Sequence, residues 1–283
     1  MMHPKFMNIC DRPLYLLLVS SFLLLSIFNT NISFSEPLRG EGMSSWDIKT
    51  SEKEACDKAE LLAKNNVLAK LGLEKIKSNQ IEACTDSGDS VNCEMYQNTF
   101  NTISGGYIKN FEVLNKDKIY IKNNKFCVVK IIADAFKFKG KHDPKFIINA
   151  DIGDNRRFFE QNHLVISAEL SEKAYVNVLG WYPDTDKENY IRLYPNQFEK
   201  DNLLQDNFNI PSKENSHKYQ LAIQFPSELK KDETQEFIIV LATKRKFAIL
   251  NKIKVSELLT RLDDEGKPSW YMQKIGYSVL RKK

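Results

Sequence analysis

The chain has 283 residues, with 41 Lys+Arg against 37 Asp+Glu and a formal net charge of +4. So small an excess, carried by scattered lysines, argues against nucleic-acid binding, which calls for a basic stripe or patch. Hydrophobic residues at 42% and aromatics at 11% supply enough apolar surface for packed cores, so disorder is not the overall reading, and the length accommodates two domains.

At the N-terminus, Lys5 and Arg12 precede the apolar run Leu14–Phe28, and the small residues Ser33 and Ser35 follow. Basic, hydrophobic and small-residue segments in that order read as a secretory signal peptide over residues 1–35. The run is shorter than the roughly 20 apolar residues a spanning helix needs. An uncleaved signal anchor is the alternative, and the chain is expected to touch the membrane only in that case. Residues 36–283 are therefore expected to be periplasmic or secreted, or anchored in the inner membrane and facing the periplasm. Cys10 precedes the apolar run, so it is not placed to carry a lipid.

The first module is read over residues 45–142. Ser51 and Glu54 fit a capping box at the start of a helix expected to reach about Lys77. Along it Cys56, Ala59, Ala63, Val67 and Leu71 recur at three- and four-residue spacing and form one narrow apolar stripe. Small alanines on such a stripe suggest close packing on a sheet. Strand-like segments follow at Thr102–Leu114 and Lys118–Ile121, with a stronger one from Phe126 to Phe138. In the last, Cys127, Val129, Ile131, Ala133 and Ala135 alternate onto one face.

Without Cys10 the cysteines are an even set of four: Cys56, Cys84, Cys93 and Cys127. In an oxidising compartment they are expected to pair, with three connectivities open. Cys84–Cys93 would close a short polar loop around Asp86-Ser87-Gly88-Asp89. Cys56–Cys127 would tie the helix stripe to the strand face that meets it. Zinc is the rival reading, but the set has no CxxC pair and no nearby histidine, so no metal site is expected.

The helix Ala55–Leu71, the stretch Thr102-Ile103-Ser104-Gly105-Gly106-Tyr107-Ile108, Phe111–Leu114 and the strand Cys127–Ala133 together resemble the N-terminal domain of the flagellar assembly protein T family and related small envelope lipoproteins. That resemblance implies an α/β module used in envelope assemblies rather than a catalytic site.

Lys139–Pro144 reads as a linker. The second module, residues 144–250, is mostly β. Strand-like runs at His163–Leu170, Tyr175–Tyr182, Tyr190–Tyr194, Tyr219–Phe225 and Glu236–Thr243 are separated by turn-rich pieces, a spacing that favours an antiparallel sandwich. Leu164–Ala168, Tyr175–Tyr182, Arg192-Leu193-Tyr194-Pro195-Asn196, Ile210-Pro211 and Phe237–Ala242 resemble the bacterial domain of unknown function number 4384. That domain decorates surface and envelope proteins, which implies a binding or adaptor role. Beyond it, residues 251–283 are expected to form a helical tail, with a helix candidate at Val255–Leu262 and an apolar end that packs on a domain or meets a partner.

Chemistry is sparse. The histidines at 142, 163 and 217 form no HExxH, and no serine lies in GxSxG. Asp184-Thr185-Asp186 opens like a calcium loop, yet Asn189 stands where the Gly belongs and Pro195 where the bidentate Glu belongs; a solvated turn is the reading preferred. Trp181, Tyr182, Tyr190, Arg192 and Tyr194 form an aromatic-rich cluster that is either a recognition face or sandwich core. The expectation is thus an α+β protein, a helix-on-sheet module followed by an antiparallel β-sandwich, with no catalytic residues and no cofactor. Its expected role is a non-enzymatic adaptor docking onto an envelope assembly, flagellar or secretion related. Glycan binding through the aromatic cluster is the alternative.

Overall fold

The structure, a computed structural model, describes residues 37–48, 51–71 and 105–282. The signal peptide, the Cys84–Cys93 pair and the helix expected beyond Leu71 fall outside the described residues.

Helix α1 (Glu52–Lys70) starts at the expected cap. The Ser51 hydroxyl accepts from the Glu54 amide at 3.2 Å, and the Glu54 carboxylate accepts from the Ser51 amide at 2.8 Å. Its stripe of Ala55, Cys56, Ala59, Ala63 and Val67 is buried against an antiparallel sheet. That sheet has the order β1 (Leu38–Trp46), β3 (Asn124–Lys137), β2 (Gly106–Ile121). Lys122 and Asn123 take positive φ values of 46° and 68° between β2 and β3, as a two-residue hairpin turn of the right twist demands.

Strand β1 was not expected, and the first layer begins at Leu38 rather than residue 45. The reason is chemical: its helix-facing positions are Gly40, Gly42 and Ser44, opposite Ile131, Val129 and Cys127. Glycine carries no apolar signal, so the alternation is silent in sequence. A Cβ at Gly40 would stand 2.2 Å from the Ala63 carbonyl oxygen, and one at Gly42 would stand 2.1 Å from that of Ala59. The helix backbone therefore lies directly on β1. The Cys56–Cys127 disulfide, with Cα atoms 5.1 Å apart, bonds the helix to the central strand β3 as expected.

The rest of the chain builds a main sheet of seven strands. Its order is β14 (Lys252–Lys254), β9 (Asp186–Tyr194), β8 (Ala174–Tyr182), β13 (Glu233–Thr243), β15 (Trp270–Leu280), β5 (Arg157–Phe159), with β10 (Leu203–Leu204) also paired to β8. All of its pairings are antiparallel except β15 with β5. A smaller sheet, β11 (Asn207–Ile210), β7 (Ile166–Leu170), β4 (Ile148–Asp151), packs on one face, and a ribbon of β6 (His163–Leu164) and β12 (Leu221–Ala222) accompanies it. The two facing sheets bury Ile148, Ile166 and Ile210 against Val178, Ile238 and Val240. The fold is thus α+β with a β-rich sandwich.

The other face of the main sheet is also buried. Leu179, Trp181, Phe237, Ile239 and Leu241 are covered by Leu258, Leu259 and Leu262 of helix α2 (Val255–Glu265) and by Tyr107 and Phe138 from the first layer. Tyr107 stacks on Phe138 at 5.2 Å, and Phe138 meets the Trp270 ring edge-on at 5.0 Å. Lys139 is no free linker: its amide donates to Asp263 at 2.7 Å and its carbonyl accepts from the Lys267 amide at 2.7 Å. The helical tail expected over 251–283 is corrected likewise. After α2 the chain returns as β15, an eleven-residue strand hydrogen-bonded to β13 along its length. Residues 37–283 accordingly form one compact unit.

The close approach of α1 to β1 makes a stability prediction. Gly42→Ala should lower the unfolding free energy by about 3 kcal/mol, because the new methyl meets backbone that cannot rotate away. Gly153→Ala, at a φ of +88° with nothing within 4 Å of the new methyl, should cost about 1 kcal/mol through backbone strain alone. Urea unfolding of both variants checks the ranking; equal losses would contradict the packing described.

Candidate functional site

The five residues of the aromatic cluster do not form one face. Trp181 (6% exposed) and Tyr190 (0%) point from β8 and β9 toward α2, with their rings edge-to-face at 6.2 Å. Tyr194 (1%) points the opposite way, into the core between the sheets. Alternation alone would put Tyr190 and Tyr194, four residues apart on β9, on one face. The register shift between the Val178–Tyr194 and Leu179–Arg192 pairs reverses the facing, while Tyr182, directly after Trp181, leaves the opposite face by simple alternation. Three of the polar ends are engaged, while the buried Tyr190 hydroxyl has no hydrogen-bond partner among the described residues. The Trp181 indole donates to the Lys187 carbonyl, the Tyr194 hydroxyl donates to the Asp201 carbonyl at 2.6 Å, and Arg192 donates to the Ile249 carbonyl and the Asn251 side chain. Burial pushes the Tyr190 and Tyr194 hydroxyls above their ordinary value and Tyr182 up to about 12. A recognition face made of these residues is therefore corrected to core and loop-anchoring roles.

The Tyr194-Pro195-Asn196 run is a loop-forming device. The Asn196 side chain donates to the Leu193 carbonyl at 3.1 Å and accepts from the Phe198 and Glu199 amides at 2.9 and 3.0 Å. In the acidic turn before it, Asp184 binds Lys231 at 2.5 Å and the Thr234 hydroxyl at 2.6 Å, while Asp186 binds Lys252 at 2.8 Å and the Asn189 amide at 2.9 Å. These carboxylates are committed to protein partners. Among the described residues, no group of three or more His, Cys, Asp and Glu is placed to hold a metal ion, and no helix is long and apolar enough to cross a membrane.

Two features carry chemistry that the sequence reading did not single out. The first is Glu236, 3% exposed, on the sandwich-core side of β13. Burial pushes its carboxyl up to about 7; the Tyr277 hydroxyl, donating at 2.7 Å, pulls it down, and the charge of Asp184 pushes it further up. A charged residue directly before the apolar run Phe237–Ala242 was the available signal. The second is the outer face of the small sheet, where polar residues at 149 and 151, 167 and 169, and 207 and 209 alternate with core residues. Short strands of four or five residues hid that alternation.

No protein-family model matches the chain, and no curated protein matches it.

Glu236 makes the fold pH-dependent in a defined direction. Its folded value lies above the ordinary 4.5, so the fold prefers the protonated form. The contribution is full below about pH 4.5 and is lost as the pH rises through about 7, amounting to about 3 kcal/mol at most. Glu236→Gln should keep the hydrogen bond from Tyr277 and remove this slope. Urea midpoints measured from about pH 4.5 to about pH 8 check it; an unchanged slope in the variant would show that another group carries the dependence.

Proposed function

We propose that this chain is a non-enzymatic accessory protein of the periplasm or cell envelope, docking onto an envelope protein assembly through its first layer. The disulfide supports an oxidising compartment, since such bonds persist outside the reducing cytoplasm. The resemblance of the first module to envelope-assembly domains, and of the second to a domain that decorates envelope proteins, supports the assembly role by analogy of sequence.

The observation that carries the docking reading is the edge strand β2. It is sixteen residues long and pairs with β3 on one side, with no second strand partner among the described residues. Register shifts around Lys109 and Leu114 divide it, leaving Asn115–Ile121 as a regular run whose Tyr120 side chain is 70% exposed. A strand of that kind offers unpaired main-chain donors and acceptors to an added strand, with exposed side chains to select the partner.

A photo-cross-linking residue placed at Tyr120 in intact cells tests this. The adducts, identified by mass spectrometry, should be a reproducible set of envelope-assembly subunits. The same residue placed at Leu250, which is also exposed but lies far along the chain from β2, should trap none of them. Equal trapping from both positions, or no protein adduct at Tyr120, would contradict the reading.

A further inference from the structure

The outer face of the small sheet lines a cleft of about 670 Å³, within the roughly 300–1,000 Å³ usual for small-ligand sites. Its floor is a grid set by strand register. Asn207, Glu169 and Asn149 stand opposite one another in one row, and Asn209, Ser167 and Asp151 in the next. Neighbours across strands are about 5 Å apart, and the rows are about 7 Å apart.

Three amides and a hydroxyl in this grid, those of Asn149, Asn207, Asn209 and Ser167, have no side-chain hydrogen bond to protein among the described residues. Their condition contrasts with that of Asn177, Asn189, Asn196 and Asn202, each of which is spent on a protein acceptor. The cleft wall is held in place. The Glu199 carboxylate accepts from the Ser212 amide at 2.9 Å, the Asn215 amide donates to the Ser212 hydroxyl at 3.0 Å, and Phe198 stacks on Tyr219 at 5.4 Å. Phe208 and Leu204 add apolar lining.

We propose that this cleft binds an uncharged saccharide. The choice of ligand class follows from what the grid offers. Amides and a hydroxyl both donate and accept, which suits a ligand whose hydroxyls do the same. Four carboxylates line the cleft: Asp151 is paired with Arg156, and Lys213 offsets part of the charge of Glu169, Glu199 and Glu214, so a cationic probe is the arm that separates a charge-driven ligand from a neutral one. A peptide strand is disfavoured because a sheet face presents side chains, whereas strand addition needs a main-chain edge. The site is independent of the docking edge on β2.

Side-chain amide resonances of the purified protein test this, with maltotriose and triacetylchitotriose as neutral probes and spermidine as the cationic one. At least one trisaccharide should shift the Asn149, Asn207 and Asn209 amides saturably, with a Kd on the order of 1 mM or tighter. Asn209→Ala and Asn149→Ala, at surface positions, should each weaken that binding about tenfold while leaving the other resonances in place. Failure of both trisaccharides to move these amides, a response to spermidine alone, or binding unchanged in both variants would overturn the proposal.

Discussion

Strand β13 is apolar on both faces, and the rest of the molecule is arranged to cover it. Ile238, Val240 and Ala242 face the core between the sheets, while Phe237, Ile239 and Leu241 face α2 and the first layer. A half-buried sandwich strand would need only one of these sets. Because both must leave water, the main sheet requires two covers. The small sheet supplies one. Helix α2, with Tyr107, Phe138 and Trp270, supplies the other. The first module is therefore part of the packing of the second, and the segment around Lys139 is fixed by hydrogen bonds to Asp263 and Lys267. A salt bridge from Lys187 to Asp57 at 3.1 Å adds a further link between α1 and the start of β9.

Within the first layer the constraint is distance rather than area. Gly40, Gly42 and the alanines of α1 let two backbones meet where any side chain would hold them apart. The disulfide lies at the same interface. This division of labour leaves the far edge, β2, with few inward obligations, and its side chains are largely exposed. The layer is thus stapled on one side by the disulfide and bears a strand edge on the other.

The sequence made legible what depends on local pattern. The capping box at Ser51, the alanine stripe, the Cys127–Ala135 alternation and the pairing of Cys56 with Cys127 all follow from spacing along one helix or strand. What it concealed depends on partners distant in the chain. Strand β1 was silent because glycine has no side chain to count. Strand β15 was read as tail because Lys274 and Gln273 interrupt its apolar run. In the fold Gln273 bonds the Ala150 amide and carbonyl, and the Lys274 ammonium lies over the Trp181 and Phe237 rings at 4.1 and 4.0 Å. The same limit applies to the candidate sites. An aromatic-rich run such as Trp181–Tyr194 is conspicuous in sequence because cores need aromatics, whereas the Asn and Ser grid acquires meaning only once strands from three parts of the chain are laid side by side.

The shared core is the claim on which this account stands, and native-state hydrogen exchange tests it most directly. Amides of β3 in the first layer and of β13 in the main sheet should report the same opening free energy, and both should lose it together as denaturant is added. Exchange of β3 through a separate, lower-energy opening, with β13 still protected, would show two independent domains joined by a linker and would contradict the account.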